Sequence, residues 1–311
     1  MAVGSRSELI IGTRGSALAR AQAAWVREQL TRLYPECPCS IREIKTTGDR
    51  WGDVALSSIE GKGIFVKELE EALLAGEIHL AVHSIKDLPS QLPDGLVLGA
   101  ITVREDPRDV WISRAGRSLA AVPAGARIGT SSLRRRAQLL NWRRDLVVEN
   151  LRGNLDTRLR KLEADDWQGI VVAKAGLLRL GLAGRITEVL PLGLMVPAAG
   201  QGALGIEVRG DNAAVKEMVA KLNHPPSAAA VRAERAFLKA IGGGCRVPVG
   251  CLAEVRGDQI QAVAVVADPE GQKLLRAQRE GSISQPEALG KELAQQMLDQ
   301  GASQILAACR F

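Results

Sequence analysis

Apolar and polar positions repeat along the first two thirds of the chain in the order strand, polar loop, helix. Leu9-Ile10-Ile11 predicts a short buried strand, and the residues that follow predict a helix reaching about Leu33. In that helix Leu18, Trp25, Leu30 and Leu33 are expected on the buried face. Repeated units of this kind indicate parallel α/β sheets, whose ligands bind beyond the carboxyl ends of the strands.

The later elements follow the same pattern until about His224, where the pattern changes. Further strands are predicted over 78–85, 96–102, 110–113, 127–130, 146–149 and 170–173, with helices over 65–75, from 133 and over 155–163. After His224 a helix over 227–240, two strands separated near Gly257-Asp258 and a helix over 285–300 predict a small α+β domain.

Composition supports an ordinary soluble globular protein. The 311 residues are 46% hydrophobic and 24% charged, which excludes a disordered, collagen-like or coiled-coil chain. The five cysteines are odd in number and irregularly spaced, so reduced thiols are expected and neither a disulfide framework nor a metal site is predicted. The chain shows no signal peptide and no apolar run long enough to span a bilayer, so a cytoplasmic protein without membrane contact is expected.

The positive charge is concentrated in one segment. The net charge is +6, but residues 127–161 hold ten basic and three acidic residues, a local balance of +7. Nine of the ten bases are arginine, whose planar guanidinium binds carboxylate or phosphate with two hydrogen bonds. On this observation alone, a solvated helix face remains the more common outcome of such a run.

Small hydroxyl residues and basic residues follow several predicted strands. Thr130-Ser131-Ser132 opens a helix whose first turn holds Arg134 and Arg135, an arrangement that favours an anion site. A plain serine N-cap explains the hydroxyls but not the arginine pair. Basic residues also follow three other strands, namely Arg14 with Ser16, Lys86, and Arg152 with Arg158.

Three further residues carry possible chemistry, each with a structural alternative. Asp87 is either a charged site residue or a turn residue before Leu88-Pro89. His83 lies within a predicted strand and is expected to be a core histidine. Cys245 follows three glycines and precedes Arg246, so it is either an accessible thiol or a small buried hydrophobic residue.

Seven segments in order resemble the porphobilinogen deaminase (hydroxymethylbilane synthase) family. They include Ala-Val-His-Ser-Ile-Lys-Asp-Leu-Pro (81–89), Gly-Thr-Ser-Ser-Leu-Arg-Arg (129–135), Leu-Arg-Gly-Asn (151–154) and Gly-Gly-Gly-Cys (242–245). The other three lie at 61–70, 104–109 and 197–203. Ser58 and Glu60 depart from the family's common pattern, which leaves any basic contact at position 58 unsupported.

The resemblance implies three domains. Domain 1 (1–103 and 200–220) and domain 2 (104–199) would be two α/β lobes like those of periplasmic binding proteins, with the active cleft between them. Domain 3 (221–311) would be a small α+β domain that carries the cofactor-bearing cysteine.

The resemblance also implies the reaction. Cys245 matches the residue that holds a dipyrromethane cofactor through a thioether. Four porphobilinogen molecules would be joined to it head to tail with loss of ammonia, and 1-hydroxymethylbilane would be released by hydrolysis. Asp87 matches the catalytic carboxylate, which would stabilise the azafulvenium cation left when ammonia departs. Cofactor contacts are implied for Lys86, Thr130, Ser131, Ser132, Arg134 and Arg135, and substrate or chain contacts for Arg14, Ser16, Lys62, Arg152, Arg158, Arg179 and Gln201.

Two other classes of function are compatible with parts of the sequence. A ligand-binding module would explain an arginine-lined cleft but not a Gly-Gly-Gly-Cys loop on a third domain. A nucleic-acid binder would explain the basic segment, but aromatic residues for base stacking are scarce. Porphobilinogen is therefore the expected partner, with no nucleic acid bound and a monomeric chain.

Overall fold

The computed structural model describes residues 8–46, 66–242 and 247–309. These residues divide into two compact units, Met1–Arg104 with Ala203–Ala228, and Glu105–Gly202 with Ala229–Phe311. Cys245, Arg246, Lys62, Ser58 and Glu60 lie outside the described residues. The division into three domains stays a prediction.

The described residues form thirteen strands and nine α-helices in a mixed α/β order. The strands are β1 (Leu9–Thr13), β2 (Cys39–Glu43), β3 (Leu80–Ser84), β4 (Leu96–Ile101), β5 (Asp109–Ser113), β6 (Arg127–Gly129), β7 (Val147–Glu149), β8 (Gly169–Ala173), β9 (Glu188–Val189), β10 (Leu204–Arg209), β11 (Val249–Arg256), β12 (Gln259–Ala267) and β13 (Leu274–Ser282). The helices are α1 (Ala17–Leu33), α2 (Lys67–Leu74), α3 (Leu133–Trp142), α4 (Leu155–Ala164), α5 (Lys174–Arg179), α6 (Ala213–Ala220), α7 (Pro225–Ala240), α8 (Pro286–Asp299) and α9 (Ala302–Ala307).

The first unit is built on a five-stranded sheet in the order β2-β1-β3-β10-β4. β1 is parallel to β2 and β3, whereas β10 is antiparallel to both β3 and β4. Val26 and Leu30 of α1 pack on one face with Leu80 and Val82. Leu69 and Leu73 of α2 pack with Ala81 on the other face. Both faces are covered, so β3 begins as a continuous apolar run, Leu80 to Val82, before the polar residues His83 and Ser84.

The second unit contains a similar sheet in the order β7-β6-β8-β5-β9. β6 is parallel to β7 and β8, and β5 is antiparallel to β8 and β9. Its two faces carry separate apolar clusters, one around Trp111 and Ile128 and the other around Ile112 and Ile170. A Cβ at Gly169 would lie 2.2 Å from the Trp111 ring, so the buried indole requires glycine there.

The second unit also contains the C-terminal sheet. Its order is β11-β12-β13, all antiparallel, so the predicted pair of strands has a third member. Phe237 of α7 and Leu293 and Met297 of α8 are fully buried against this sheet. The small α+β segment expected after His224 is confirmed.

Two details of the predicted pattern were wrong. Each five-stranded sheet is mixed rather than parallel, because β5 and β10 enter beside strands that run the other way. The sheet contacts the side of α1 that carries Ala23 and Val26, whose short side chains allow the helix to approach closely. Trp25 and Leu33 therefore remain 40% and 48% exposed. No helix within the described ranges is both long and apolar enough to cross a bilayer.

Candidate functional site

One edge of the second unit's five-stranded sheet gathers most of the predicted basic residues. The parallel strands β6, β7 and β8 end at this edge, and the antiparallel strand β5 begins there with Asp109. Thr130–Arg135 follow β6, Arg152 follows β7 and Arg179 ends the helix after β8. The sheet topology thus brings together residues that are up to 70 positions apart in the chain.

The loop from β6 into α3 is held by its own hydroxyl groups. The Thr130 backbone N–H donates to Glu149 O at 2.9 Å, and the Ser132 N–H approaches Thr130 Oγ1 at 3.3 Å. Ser132 is the N-cap of α3, and its Oγ accepts from the Arg135 N–H at 3.4 Å. Thr130 is buried, whereas Ser131 and Ser132 are half-buried. Ser132 therefore caps the helix, as the structural alternative expected, at the same place where the arginine pair begins.

Arg134 and Arg135 both bind the carboxylate of Asp109. Arg134 Nη1 donates to Asp109 Oδ2 at 2.7 Å and to Val196 O at 2.8 Å. Arg135 donates to Asp109 Oδ1 from Nε at 3.1 Å and from Nη2 at 2.8 Å. Gln201 Nε2 donates to the same oxygen at 2.9 Å. Asp109 is fully buried, and both arginines are about nine-tenths or more buried.

The charges in this cluster do not cancel. Burial alone would raise the pKa of Asp109, but Arg134 and Arg135 hold it far below its usual range, so the carboxylate is ionised. Burial lowers the pKa of Arg134, and the charge of Asp109 opposes that shift. Two guanidinium groups sharing one carboxylate leave one unit of positive charge at the start of a helix, where an anion is favoured.

Two further arginines on this edge are fixed by backbone carbonyls. Arg158 Nε donates to Gly153 O at 2.8 Å. Gly153 has φ 109°, a left-handed conformation that glycine adopts without strain. Arg179 Nη2 donates to Gly202 O at 2.6 Å. Burial lowers the pKa of Arg179 to about 10, while Glu105 opposes the shift. Arg152 is half-buried in the loop before α4.

The corresponding edge of the first unit carries the predicted catalytic aspartate. β1 and β3 are parallel, so Arg14 and Ser16 lie at the same edge as Lys86 and Asp87. Ser16 caps α1 by accepting from the Ala19 N–H at 3.2 Å. Asp87 closes the 3-10 turn Ile85–Asp87 and is exposed, and Lys86 is half-buried. The Asp87 carboxylate is therefore exposed to solvent on a short 3-10 turn.

The turn is anchored on both sides. The Ile85 N–H donates to Ala203 O, and the Leu88 N–H donates to Ile85 O, each at 3.1 Å. One residue earlier, Ser84 accepts a hydrogen bond from Gln22 Nε2 at 3.0 Å. Asp87 is thus a turn residue, as one interpretation expected, and its carboxylate is accessible; its role as a site residue stays a prediction.

Sequence reasoning missed several buried acids. Asp109 lies in segment 104–109, which resembles the family, but the sequence pattern predicts no role for it. Its carboxylate accepts hydrogen bonds from Arg134, Arg135 and Gln201. Glu207 is a fully buried acid in β10. Both stand in otherwise apolar strands, and an isolated acid in such a run is the signal that could have indicated a buried cationic partner.

Known families match nearly the whole chain. The model of the porphobilinogen deaminase dipyrromethane cofactor-binding domain matches residues 9–217, and the model of the porphobilinogen deaminase C-terminal domain matches residues 228–299. The chain belongs to the porphobilinogen deaminase family. A porphobilinogen deaminase of Desulforudis audaxviator is 53% identical over 305 residues, covering 98% of this chain and 99% of the relative. One of Pelotomaculum thermopropionicum is 50% identical, covering 98% of each chain.

Solved structures with similar folds are more distant. The periplasmic aliphatic sulphonate binding protein SsuA of Escherichia coli has a TM-score of 0.39 at 14% identity, covering 76% of this chain and 71% of that one. Membership of the porphobilinogen deaminase family makes the chain a transferase, a hydroxymethylbilane synthase that uses a dipyrromethane cofactor. The predicted family, function and cofactor are thereby confirmed, and the sheets and helices of the described residues confirm the α/β fold class with a small C-terminal α+β segment. The individual site residues stay predictions.

Proposed function

We propose that this hydroxymethylbilane synthase joins four porphobilinogen molecules head to tail on a dipyrromethane attached to Cys245. Each joining breaks the aminomethyl C–N bond of one porphobilinogen and the α C–H bond of the accepting pyrrole, forms one C–C bond, and releases ammonia and that proton. Hydrolysis finally releases the linear tetrapyrrole. The observation that carries the proposal is the match of both family models in order along the chain, the first being the cofactor-binding domain.

The cluster around Asp109 supports a polyanionic ligand. Each pyrrole unit derived from porphobilinogen carries an acetate and a propionate group. Arg134 and Arg135 together leave one unit of positive charge after pairing with Asp109. The donor set therefore fits the dipyrromethane, which supplies when bound the pyrrole carbon that accepts the first substrate. Its carboxylates are assigned to Arg134, Arg135, Lys86, Thr130, Ser131 and Ser132.

Asp87 is proposed as the catalytic carboxylate. Loss of ammonia from porphobilinogen leaves an azafulvenium whose positive charge spreads to the pyrrole N–H. A carboxylate held at that N–H stabilises the cation and manages the ring proton. Two observations support this role, since Asp87 is exposed and its turn is tied to the neighbouring strand through Ile85 N–H and Ala203 O.

The remaining basic residues are proposed to bind the substrate and the growing chain. Each added unit brings two carboxylates, and each charge-assisted hydrogen bond to one of them contributes about 1.5–3 kcal/mol. The structure supports Arg152 and Arg179 as side chains at the strand-end edge of the second unit. The residues assigned to this role are Arg14, Ser16, Lys62, Arg152, Arg158, Arg179 and Gln201.

The compartment, the oligomeric state and the partners of the enzyme are also proposals. We assign it to the cytoplasm as a monomer that binds neither nucleic acid nor a membrane. The odd number of cysteines without a disulfide pattern supports a reducing compartment. Sedimentation of the purified chain at micromolar concentration tests the monomer, and any larger species contradicts it.

Intact mass spectrometry tests the proposed function directly. The denatured parent chain is expected to exceed its sequence mass by one dipyrromethane and to give a colour reaction for pyrroles. Cys245→Ser should show the unmodified mass and make no bilane. Cys309→Ser is the matched control, because Cys309 is a free, half-buried thiol in the same unit. An unmodified parent that still turns over porphobilinogen would overturn the proposal.

A further inference from the structure

The first unit buries three titratable side chains that the proposed mechanism does not use. We name them the Glu70–His83–Glu207 cluster. His83 on β3 and Glu207 on β10 are diagonal neighbours on one sheet face, since His83 pairs with Gly205 and Glu207 pairs with Ala81. His83 Nε2 lies 2.9 Å from Glu207 Oε2, with side chains 3% and 0% exposed. Glu70 reaches the cluster from α2 and is also buried.

Burying this cluster is less favourable in free energy than burying apolar side chains at the same place. Glu70 Oε1 and both carboxylate oxygens of Glu207 accept no hydrogen bond from any residue that the structure describes. Removing ions from water costs several kcal/mol each, and a close ion pair recovers this only when its other hydrogen bonds are made. The same face is filled by Leu69, Leu73 and Ala81. Stability alone therefore gives no reason for three titratable side chains here.

The two acids have different electrostatic surroundings. Burial and the nearby charge of Glu207 raise the pKa of Glu70, and His83 only partly opposes this. Glu207 instead has the imidazole of His83 within ion-pair distance. A protonated Glu70 places no second negative charge beside Glu207, and the close polar contact of the cluster is the one between His83 on β3 and Glu207 on β10.

The pair joins the two strands that hold the Asp87 turn. β3 leads from His83 through Ser84 into Ile85–Asp87. β10 begins next to Ala203, whose carbonyl accepts from the Ile85 N–H. Gly205 of β10 lets Ile85 pack closely, because a Cβ there would lie 2.4 Å from Ile85 Cδ1. A small slip of β3 against β10 would therefore move the turn that carries the carboxylate.

We propose that His83 and Glu207 are positioning residues, whose close side-chain contact sets the alignment of β3 on β10 and thereby the placement of the Asp87 turn. The effect on turnover rests on the proposed function, whereas the effect on the turn itself does not. Charge at position 207 is required in this arrangement, and charge at position 70 is not.

Two isosteric variants within the cluster separate this role from general stability. Glu207→Gln removes the charge that faces His83, whereas Glu70→Gln imitates the protonated side chain. With Glu207→Gln we expect kcat to fall about 10- to 100-fold, as small misplacements of a catalytic group do, and KM to change little. With Glu70→Gln kcat should remain within about twofold of the parent. Ile206→Val controls for packing, because Ile206 is buried on the opposite face of the same strand pair.

Hydrogen exchange provides a readout that does not depend on activity. In Glu207→Gln the amide hydrogens of Ile85 and Leu88, both hydrogen-bonded in the turn, should exchange at least about fivefold faster, and in Glu70→Gln they should not. Faster exchange with no bilane formed by the parent chain would refute the proposed function but support the positioning role. Unchanged exchange in Glu207→Gln, or equal losses of kcat in Glu207→Gln and Ile206→Val, would overturn the proposal.

Discussion

The two five-stranded sheets each bury a cluster of ionisable side chains, and the two clusters have opposite compositions. In the second unit two arginines share one buried carboxylate, Asp109, and positive charge remains. In the first unit two buried acids share one imidazole, His83. The same chemical group responds in opposite ways, since the pKa of Asp109 is lowered and that of Glu70 is raised. Burial raises the pKa of both carboxyl groups; the two arginines outweigh that effect at Asp109, whereas His83 only partly opposes it at Glu70.

The difference matches the proposed roles of the two edges. An edge with surplus positive charge suits ligands rich in carboxylates, and it includes a helix start with Ser132 as N-cap. The other edge presents a single accessible acid, Asp87, on a turn attached to an otherwise rigid sheet. The first arrangement suits the proposed binding of anions, and the second suits the proposed stabilisation of a cation.

Replacing Asp87 should give the largest loss of activity. Asp87→Asn keeps the size of the side chain but removes the charge, so turnover is expected to fall about 100- to 1000-fold, as when a transition-state charge loses its partner. Thermal unfolding should not change, because Asp87 is exposed. Asp94→Asn, at another exposed acid of the first unit, should retain activity. Near-normal porphobilinogen consumption by Asp87→Asn would remove the catalytic assignment.

Replacing Asp109 should give the largest loss of stability. Asp109→Asn leaves two buried guanidinium groups without their anion, and breaking a buried pair in this way costs about 3–5 kcal/mol. Urea unfolding followed by tryptophan fluorescence measures the shift. Asp211→Asn is the matched control, because its exposed partner Arg209 remains solvated, and no shift in its unfolding midpoint is expected. Equal midpoints for the two variants would show that the arginine pair does not depend on Asp109.

Arg152→Ala should have an intermediate effect on chain elongation. If Arg152 binds carboxylates of the growing chain, its loss weakens elongating complexes by about 1.5–3 kcal/mol, or roughly 10- to 100-fold. Native mass spectrometry after brief exposure to porphobilinogen should then show trapped intermediates. Arg160→Ala on the exposed side of α4 serves as the control. Indistinguishable product distributions would exclude Arg152 from chain binding.

Glu70 should produce a small, pH-dependent effect on stability. Its pKa is raised above the ordinary 4.5, so the folded chain holds this proton more tightly than the unfolded chain. The stabilisation linked to it is complete below pH 4.5 and is lost as the pH rises through the folded-state pKa. Glu70→Gln should therefore become more stable relative to the parent between pH 4 and pH 8. A stability difference that does not change with pH would contradict the raised pKa.

The predicted order of elements follows from local pattern, and so does much of the site's location. Strands such as β4 and helices such as α1 and α4 lie close to their predicted bounds, because apolar spacing is a local property. Placing basic residues after strands identified the edge that holds Arg134 and Arg152. Of the residues expected on the buried face of α1, Leu30 is buried, but Trp25 is exposed because packing against the sheet favours the small residue Ala23.

The sequence alone determined the family, the order of elements and the candidate residues, since all three are carried by side chains in known positions along the chain. Only the tertiary structure showed that Asp109 lies between two arginines and that Glu207 lies beside His83. These partners come from strands and helices far apart in the chain, and the antiparallel entry of β5 and β10 brings them together. Charge state inside a protein depends on which partners share the same desolvated space, and that is a property of the folded chain.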